Sequence, residues 1–188
     1  MPAVLKYFCL ISFLVVFAVT VRSQNSISPA DKRTVSEFEK QAKKYADLRD
    51  SLSRRLPRLS DDATPVQISA YKTAFQKSVQ SARNNAKRGE LFTPAASRQI
   101  RVLIKTEFQG WERSELRKTV LEADTKGVPL KINLPYPETK ELVEMSPALL
   151  LTLPQLPKPL RYRFAGRRLL LLDRDNGLII DYMTNALP

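Results

Sequence analysis

Leu160–Met183 reads LRYRFAGRRLLLLDRDNGLIIDYM. Arg161–Phe164 alternates charged and aromatic residues, which sets Tyr162 and Phe164 on one face of a strand and Arg161 and Arg163 on the other. Ala165-Gly166 can turn the chain. Leu169–Leu172 is an unbroken leucine run with no polar face. Such a strand is covered on both sides, or one side waits for a partner. Asp173-Arg174-Asp175-Asn176-Gly177 supplies turn chemistry, with Asn-Gly tolerating positive φ. Leu178-Ile179-Ile180 returns and Asp181 closes it. Three strands of this size form an antiparallel meander that needs a cover of helices.

Upstream of this run the chain is punctuated by proline. Pro129, Pro135, Pro137, Pro147, Pro154, Pro157 and Pro159 mark residues 126–159 as a connector. One helical turn fits Ser146–Thr152, and the rest is expected to lie extended on the surface of the helices. Leu130, Ile132, Leu134, Leu149 and Leu151 give the segment too much to bury for a disordered linker.

Residues 24–125 read as about four helices. Ser28-Pro29-Ala30-Asp31 is a helix start. Val35, Phe38, Ala42, Tyr45, Leu48, Leu52 and Leu56 then recur at spacings of three and four until Pro57. Glu39 with Lys43 and Asp50 with Arg54 are placed to pair on the wet face. So long a stripe could pair with another chain, but packing within the molecule is the simpler account. Thr64-Pro65-Val66-Gln67 opens a second helix with stripe Ile68, Tyr71, Phe75, Val79, Ala82 and Ala86, ending at Gly89. Thr93-Pro94 opens a third, with Ile100, Leu103, Ile104 and Phe108 inward and Gly110 breaking it. A fourth spans Glu112–Asp124 and carries Leu116, Val120 and Leu121. The expected class is α+β: a helical part, the connector, and a C-terminal three-stranded β-meander over 160–188, all in one domain from residue 24.

Residues 1–23 read as a cleavable secretory signal. Lys6 precedes an apolar segment, Tyr7–Val21, too short for a comfortable membrane span, and Val21-Arg22-Ser23 fits a cleavage site after Ser23. The chain's one cysteine, Cys9, leaves with it. The expected location is periplasmic or secreted, with no disulfide to exploit the oxidising compartment. Cleavage also removes Lys6 and Arg22, which takes the basic residues from 31 to 29 against 19 acids and leaves a net +10. That balance favours anionic partners, such as lipid surfaces, wall polymers or acidic proteins, and serves equally as a solubility device.

With no histidine at all, the chain lacks Ser-His and Cys-His arrangements, imidazole metal sites and the commonest general base. Loss of Cys9 removes thiolate chemistry as well. Glu107, Glu112 and Glu115 gather around Trp111, a pattern a glycan hydrolase with paired carboxylates could use, but acids also suit the start of a helix. Asp173-x-Asp175-Asn176-Gly177 faintly resembles a calcium loop without its spacing or terminal Glu, and a plain hairpin turn is favoured. No catalytic residue, metal ligand or cofactor is assigned.

The charge is unevenly spread. Ala63–Thr106 holds eight bases, Lys72, Lys77, Arg83, Lys87, Arg88, Arg98, Arg101 and Lys105, against Glu90 alone. A second group, Lys158, Arg161, Arg163, Arg167 and Arg168, meets no acid until Asp173. If the two adjoin they form an anion-binding surface; otherwise they are solvated helix faces. Aromatics are not interleaved with them as in a single-strand binder, and no nucleic-acid role is expected.

Leu153-Pro154-Gln155-Leu156-Pro157, followed by Leu160, Tyr162-Arg163-Phe164, Gly166-Arg167, Leu171-Leu172-Asp173 and Leu178-Ile179-Ile180-Asp181, resembles a family of small exported bacterial proteins of acidobacteria and proteobacteria that carries no assigned activity. Gly89-Glu90-Leu91-Phe92-Thr93-Pro94 and Leu134-Pro135-Tyr136-Pro137 fit the same pattern. The C-terminal run is also similar, over about thirty residues, to the end of a periplasmic family tied to nickel and cobalt homeostasis; without imidazole or thiolate this chain offers little for those metals. The resemblance implies an envelope or secreted protein and brings no catalytic residues. The leading expectation is a non-enzymatic exported protein that binds an anionic envelope component or acidic partner, with peripheral membrane contact open. A carboxylate-dependent hydrolase of envelope glycans is the alternative, and an interaction protein using its long helices is a third reading.

Overall fold

Four of the five described helices begin where a hydroxyl precedes a proline. The computed structural model describes residues 28–108, 114–123, 125 and 127–187, leaving aside the side chain of Leu116. Within them α1 spans Pro29–Ser53, α2 Pro65–Ala82, α3 Pro94–Glu107, α4 Ser114–Glu122 and α5 Pro147–Thr152. Ser28, Thr64, Thr93 and Ser146 each accept the backbone N–H three residues on, and proline fills the first turn, where its missing N–H costs nothing. Thr64 and Gln67 close a reciprocal capping box. The apolar segment of residues 1–23, Gly110, Trp111, Glu112 and Asp124 lie outside the described residues.

The strands β1 (Leu160–Ala165), β2 (Arg168–Asp173) and β3 (Ile179–Met183) form an antiparallel sheet in the order β1-β2-β3. Tyr162 lies opposite Leu171 and Phe164 opposite Leu169, while Leu170 faces Tyr182 and Leu171 faces Asp181 across the second pair. An irregularity between Leu171 and Leu172 brings Ile179 opposite Leu172. Asp181 does not close β3; the strand runs on through Tyr182 to Met183. Of the Asn-Gly pair only Gly177 takes positive φ, at 64°.

The leucine run is covered on both faces. Leu169 and Leu171 join Tyr162, Phe164 and Ile180 in a core that includes Phe38 and Tyr45 of α1, Phe75 and Val79 of α2, Ile100 and Ile104 of α3, and Val120 of α4. Phe38 stacks on Tyr162 at 6.3 Å between ring centres, and Phe108 meets Phe164 edge-on at 5.8 Å. The stripe of α1 is thus used within the chain, with Ala46 buried in addition to the expected positions. Leu170 and Leu172 point the other way, into a second core with Val128, Tyr136, Ala165 and Ile179, flanked by Leu130, Ile132, Leu142 and Tyr182. Burial of four leucines on both sides is what makes the all-apolar run a stable strand.

The first part of the connector, residues 128–142, supplies that second cover, which corrects the expectation that it lies on the helices; from Met145 on the connector does pack with them. Its backbone also seals both sheet edges. Asn133 N–H donates to Ile179 O at 2.7 Å, Ile179 N–H to Leu134 O at 2.9 Å and Tyr136 N–H to Gly177 O at 2.9 Å. On the β1 side Val143 and Phe164 exchange bonds of 3.1 and 3.2 Å. Open ladder groups at a sheet edge invite other strands, and these segments occupy them. Leu130, Ile132 and Leu149 are inside as expected, but Leu134 is 40% and Leu151 81% exposed.

Two further expectations change. On α1, Lys43 pairs with Asp47 at 3.0 Å rather than with Glu39, which instead accepts the Gln155 N–H at 2.8 Å. Asp50 lies by Arg49, 3.5 Å away, rather than by Arg54. The helix α2 ends at Ala82, not at Gly89: residues 83–92 leave the helix to wrap the carboxylate of Asp181. Ile68 and Ala82, expected inside, are exposed.

Candidate functional site

Two carboxylates without exposed surface anchor the helices to the sheet. Asp173, at the end of β2, receives Tyr45 Oη at 3.0 Å and Arg49 Nε at 2.9 Å on one oxygen. Its other oxygen takes the N–H groups of Asp175 and Asn176, each at 3.1 Å, and the Asn176 side-chain amide at 3.2 Å. The expected hairpin turn is therefore a polar knot that also holds α1. Arg49 reaches on to Asp175 and lies over the Phe75 ring. Burial works against the Arg49 charge, yet Asp173 and Asp175 more than offset it and hold its pKa above the usual arginine value. Burial first, then the Asp173 charge, pushes the Tyr45 phenol far above its ordinary range.

Asp181 accepts four backbone N–H groups, from Gly89, Leu91, Phe92 and Tyr182, all at 2.8 Å. Burial raises its pKa above the usual carboxylate value, and the amide donors oppose that rise without cancelling it. Both oxygens of each acid are taken by the protein, so the pair serves the fold rather than a substrate.

The twelve candidate anion-binding residues separate into three kinds of place. Four are tied to acceptors of the protein itself. Arg83 lies over the Tyr45 ring and donates to Asn133 Oδ1 at 2.9 Å, with Glu90 and Ile180 O each at 3.3 Å. Arg101 ties the tail through Asn185 O at 3.0 Å and Thr184 O at 3.2 Å. Arg167 donates to Leu187 O at 3.3 Å, and Arg163 to Glu144 and Tyr162 O, both at 2.8 Å. Lys77, Lys87, Arg88, Arg98 and Lys105 stand exposed and line neither of the clefts described next, with Arg88 over the Tyr182 ring. Arg168 lines, with Arg167, a hollow beside the β1–β2 turn.

Lys72 and Arg161, one from each basic group, do come together. They line a cleft of about 540 Å³ with Lys140, Arg174 and the acids Glu138 and Asp175. Arg161 and Arg174 also line a second cleft, of about 480 Å³, with Lys158, Arg163, Glu144 and Leu150. These two arginines thus form a ridge between two hollows. The turn places Arg174 there: its N–H donates to Pro159 O at 2.7 Å and its Nε to Lys158 O at 3.2 Å. Arg161 Nε is buried and, among the described residues, is the one buried side-chain donor or acceptor atom with no hydrogen-bond partner. Burial lowers the Arg163 pKa, and the charges of Arg161 and Arg174 lower it further against the pull of Glu144. Arg161 and Arg163 lie two residues apart on one face of β1, and Arg174 lines the same cleft beside them.

Arg49, Arg174, Lys140 and Asp181 were not legible as site or anchor residues. Arg49 follows Tyr45 by four residues on the edge of an apolar stripe, a spacing that could have marked a cation turned inward. Arg174 was read only as part of a turn. Of the carboxylates near Trp111, Glu107 and Glu115 belong to α3 and α4, while Trp111 and Glu112 lie outside the described residues. No family model matches the chain, and no curated protein or solved structure matches it.

Proposed function

We propose that this chain is an exported, non-enzymatic binding protein for an anionic partner, and that the Arg161–Arg174 ridge is where the partner sits. The carrying observation is that Arg161, Arg163 and Arg174 line one cleft, the first and last of them its neighbour as well, with Glu144 the one acid bonded to any of the three among the described residues. Like charges held at close range cost stability, and a bound anion turns that cost into affinity. Arginine suits the task because its planar fork grips phosphate or carboxylate with two parallel bonds. The net charge and the resemblance of the C-terminal run to small exported bacterial proteins support the same reading.

Binding of the purified protein to polyphosphate, titrated across salt concentrations, tests it. Arg161→Gln with Arg174→Gln should weaken binding at least about tenfold, equivalent to ~1.4 kcal/mol. Arg98→Gln with Lys105→Gln, on exposed positions elsewhere, should change it far less. Equal loss from the two pairs would make the affinity a matter of net charge and remove the site. Arg83 and Arg101 are poor choices for this test because their bonds hold the fold.

A further inference from the structure

Beside the ridge lies a feature that free phosphate does not explain. The short helix α5 carries Leu149 inward, but turns Leu150 and Leu151 outward, 43% and 81% exposed. Leu150 lines the same cleft as Lys158, Arg161, Arg163 and Arg174. Met145, Leu156 and Leu160 add an apolar lining below these cations. Two protruding leucines next to a group of arginines join an apolar prow to a phosphate-binding rim. Soluble polyanions have no use for the first, and a neutral apolar partner has none for the second.

We infer that this face docks on a bilayer bearing acidic phospholipids, with lipid phosphates on the Arg161–Arg174 ridge and Leu150 and Leu151 entering the headgroup–acyl boundary. The inference rests on the proposed anion-binding reading and names its partner. Interfacial binding of this kind adds apolar insertion to attraction for anionic headgroups, and neither suffices alone. No described helix is long and apolar enough to cross a membrane, so the contact is peripheral for these residues. The neighbouring cleft balances Lys72 and Lys140 with Glu138 and Asp175, which leaves Arg161 and Arg174 as its excess of positive charge.

Co-sedimentation with vesicles of phosphatidylcholine, with and without phosphatidylglycerol, tests the inference, with polyphosphate binding measured in parallel. The protein should prefer the phosphatidylglycerol vesicles by about tenfold or more. Leu151→Ser, at a position that buries little, should cut vesicle binding several-fold and leave polyphosphate binding unchanged. Arg161→Gln with Arg174→Gln should reduce both. In Leu151→Trp the tryptophan emission, compared with that of the parent containing Trp111, should shift to the blue on phosphatidylglycerol vesicles alone. Vesicle binding that Leu151→Ser does not change, or that is equal on phosphatidylcholine, overturns the lipid inference. So does glycerol phosphate binding in solution that accounts for all the affinity, which assigns the ridge to a soluble phosphate. Polyphosphate binding that survives those outcomes leaves the wider anion reading standing; its loss as well removes both.

Discussion

Arg49 Nε donates to Asp173 Oδ2 at 2.9 Å, joining α1 to the end of β2 across 124 residues of sequence. The carboxylate is wholly buried and Arg49 keeps 14% of its side-chain surface. Breaking one side of such a pair leaves the other charge stranded in a poor solvent. Asp173→Ala should therefore cost about 3–5 kcal/mol, and Tyr45→Phe, which removes a neutral donor, about 1 kcal/mol. Urea unfolding of both variants, with Arg49→Met and the Arg49→Met/Asp173→Ala double variant, checks this; additive losses would mean the two residues are not coupled.

Asp181 gives a different signature, because its donors are all backbone. Asp181→Asn keeps one acceptor oxygen and turns an NH₂ toward amides that also donate, at a cost of ~1–3 kcal/mol. Its folded-state pKa is raised, so the native protein holds a proton that the unfolded chain has already released. Stability from this group is consequently greatest in acid and falls as pH rises from the ordinary carboxylate value through the higher folded one. The stability of the parent minus that of Asp181→Asn should shrink across that window in urea melts taken at several pH values. A difference that grows with pH would contradict the assignment.

The two-sided cover of β2 predicts that neighbouring leucines are equally costly to truncate. Leu171→Ala opens a hole beneath the helices and Leu170→Ala one beneath the connector. Each should lose about 2–5 kcal/mol in denaturant unfolding. A loss under about 1 kcal/mol for Leu170→Ala alone would mean that the connector is a weak lid.

Two hairpin glycines separate backbone strain from crowding. Gly166 and Gly177 both have positive φ, at 56° and 64°. A Cβ on Gly166 would come within 2.9 Å of Thr125 Oγ1, whereas one on Gly177 meets nothing within 4 Å. Asparagine adopts this backbone region readily, so Gly177→Asn should lower thermal stability little. Gly166→Asn should lower it clearly more, and Gly166→Asn with Thr125→Ser, which keeps the offending oxygen, should not recover it.

Arg161 offers the opposite outcome, a substitution that gains stability. Its Nε is sealed from water without an acceptor and its charge faces Arg163. Arg161→Met removes both penalties while keeping the bulk of the chain, and should raise stability by about 0.5–2 kcal/mol in urea. A loss would show that the guanidinium holds the fold rather than waiting for a ligand.

The architecture was legible because its signals are local. Hydroxyl-proline pairs mark three helix starts, at Ser28, Thr64 and Thr93, and the alternation of Arg161–Phe164 with its following turn marks the hairpin. The end of α2 was not legible, since the Ile68–Ala86 periodicity runs past Ala82 and only the distant Asp181 draws the chain away. For the same reason the basic asymmetry pointed at too many residues. Charge along a sequence does not say which arginines turn inward, and Arg83 and Arg101 do so to meet carbonyls 97 and 83 residues away. The ridge joins residues from β1 and the β2–β3 turn, brought together only by register.

The wrapping of residues 83–92 around Asp181 bears on the order of assembly. A ribosome delivers the helices first, and the amides of Gly89, Leu91 and Phe92 wait some ninety residues for their acid. Until β3 emerges that loop lacks its acid, and until the end of β2 does α1 has no Asp173 to grip. Closure then comes late, as a latch set by the last two strands on helices already made.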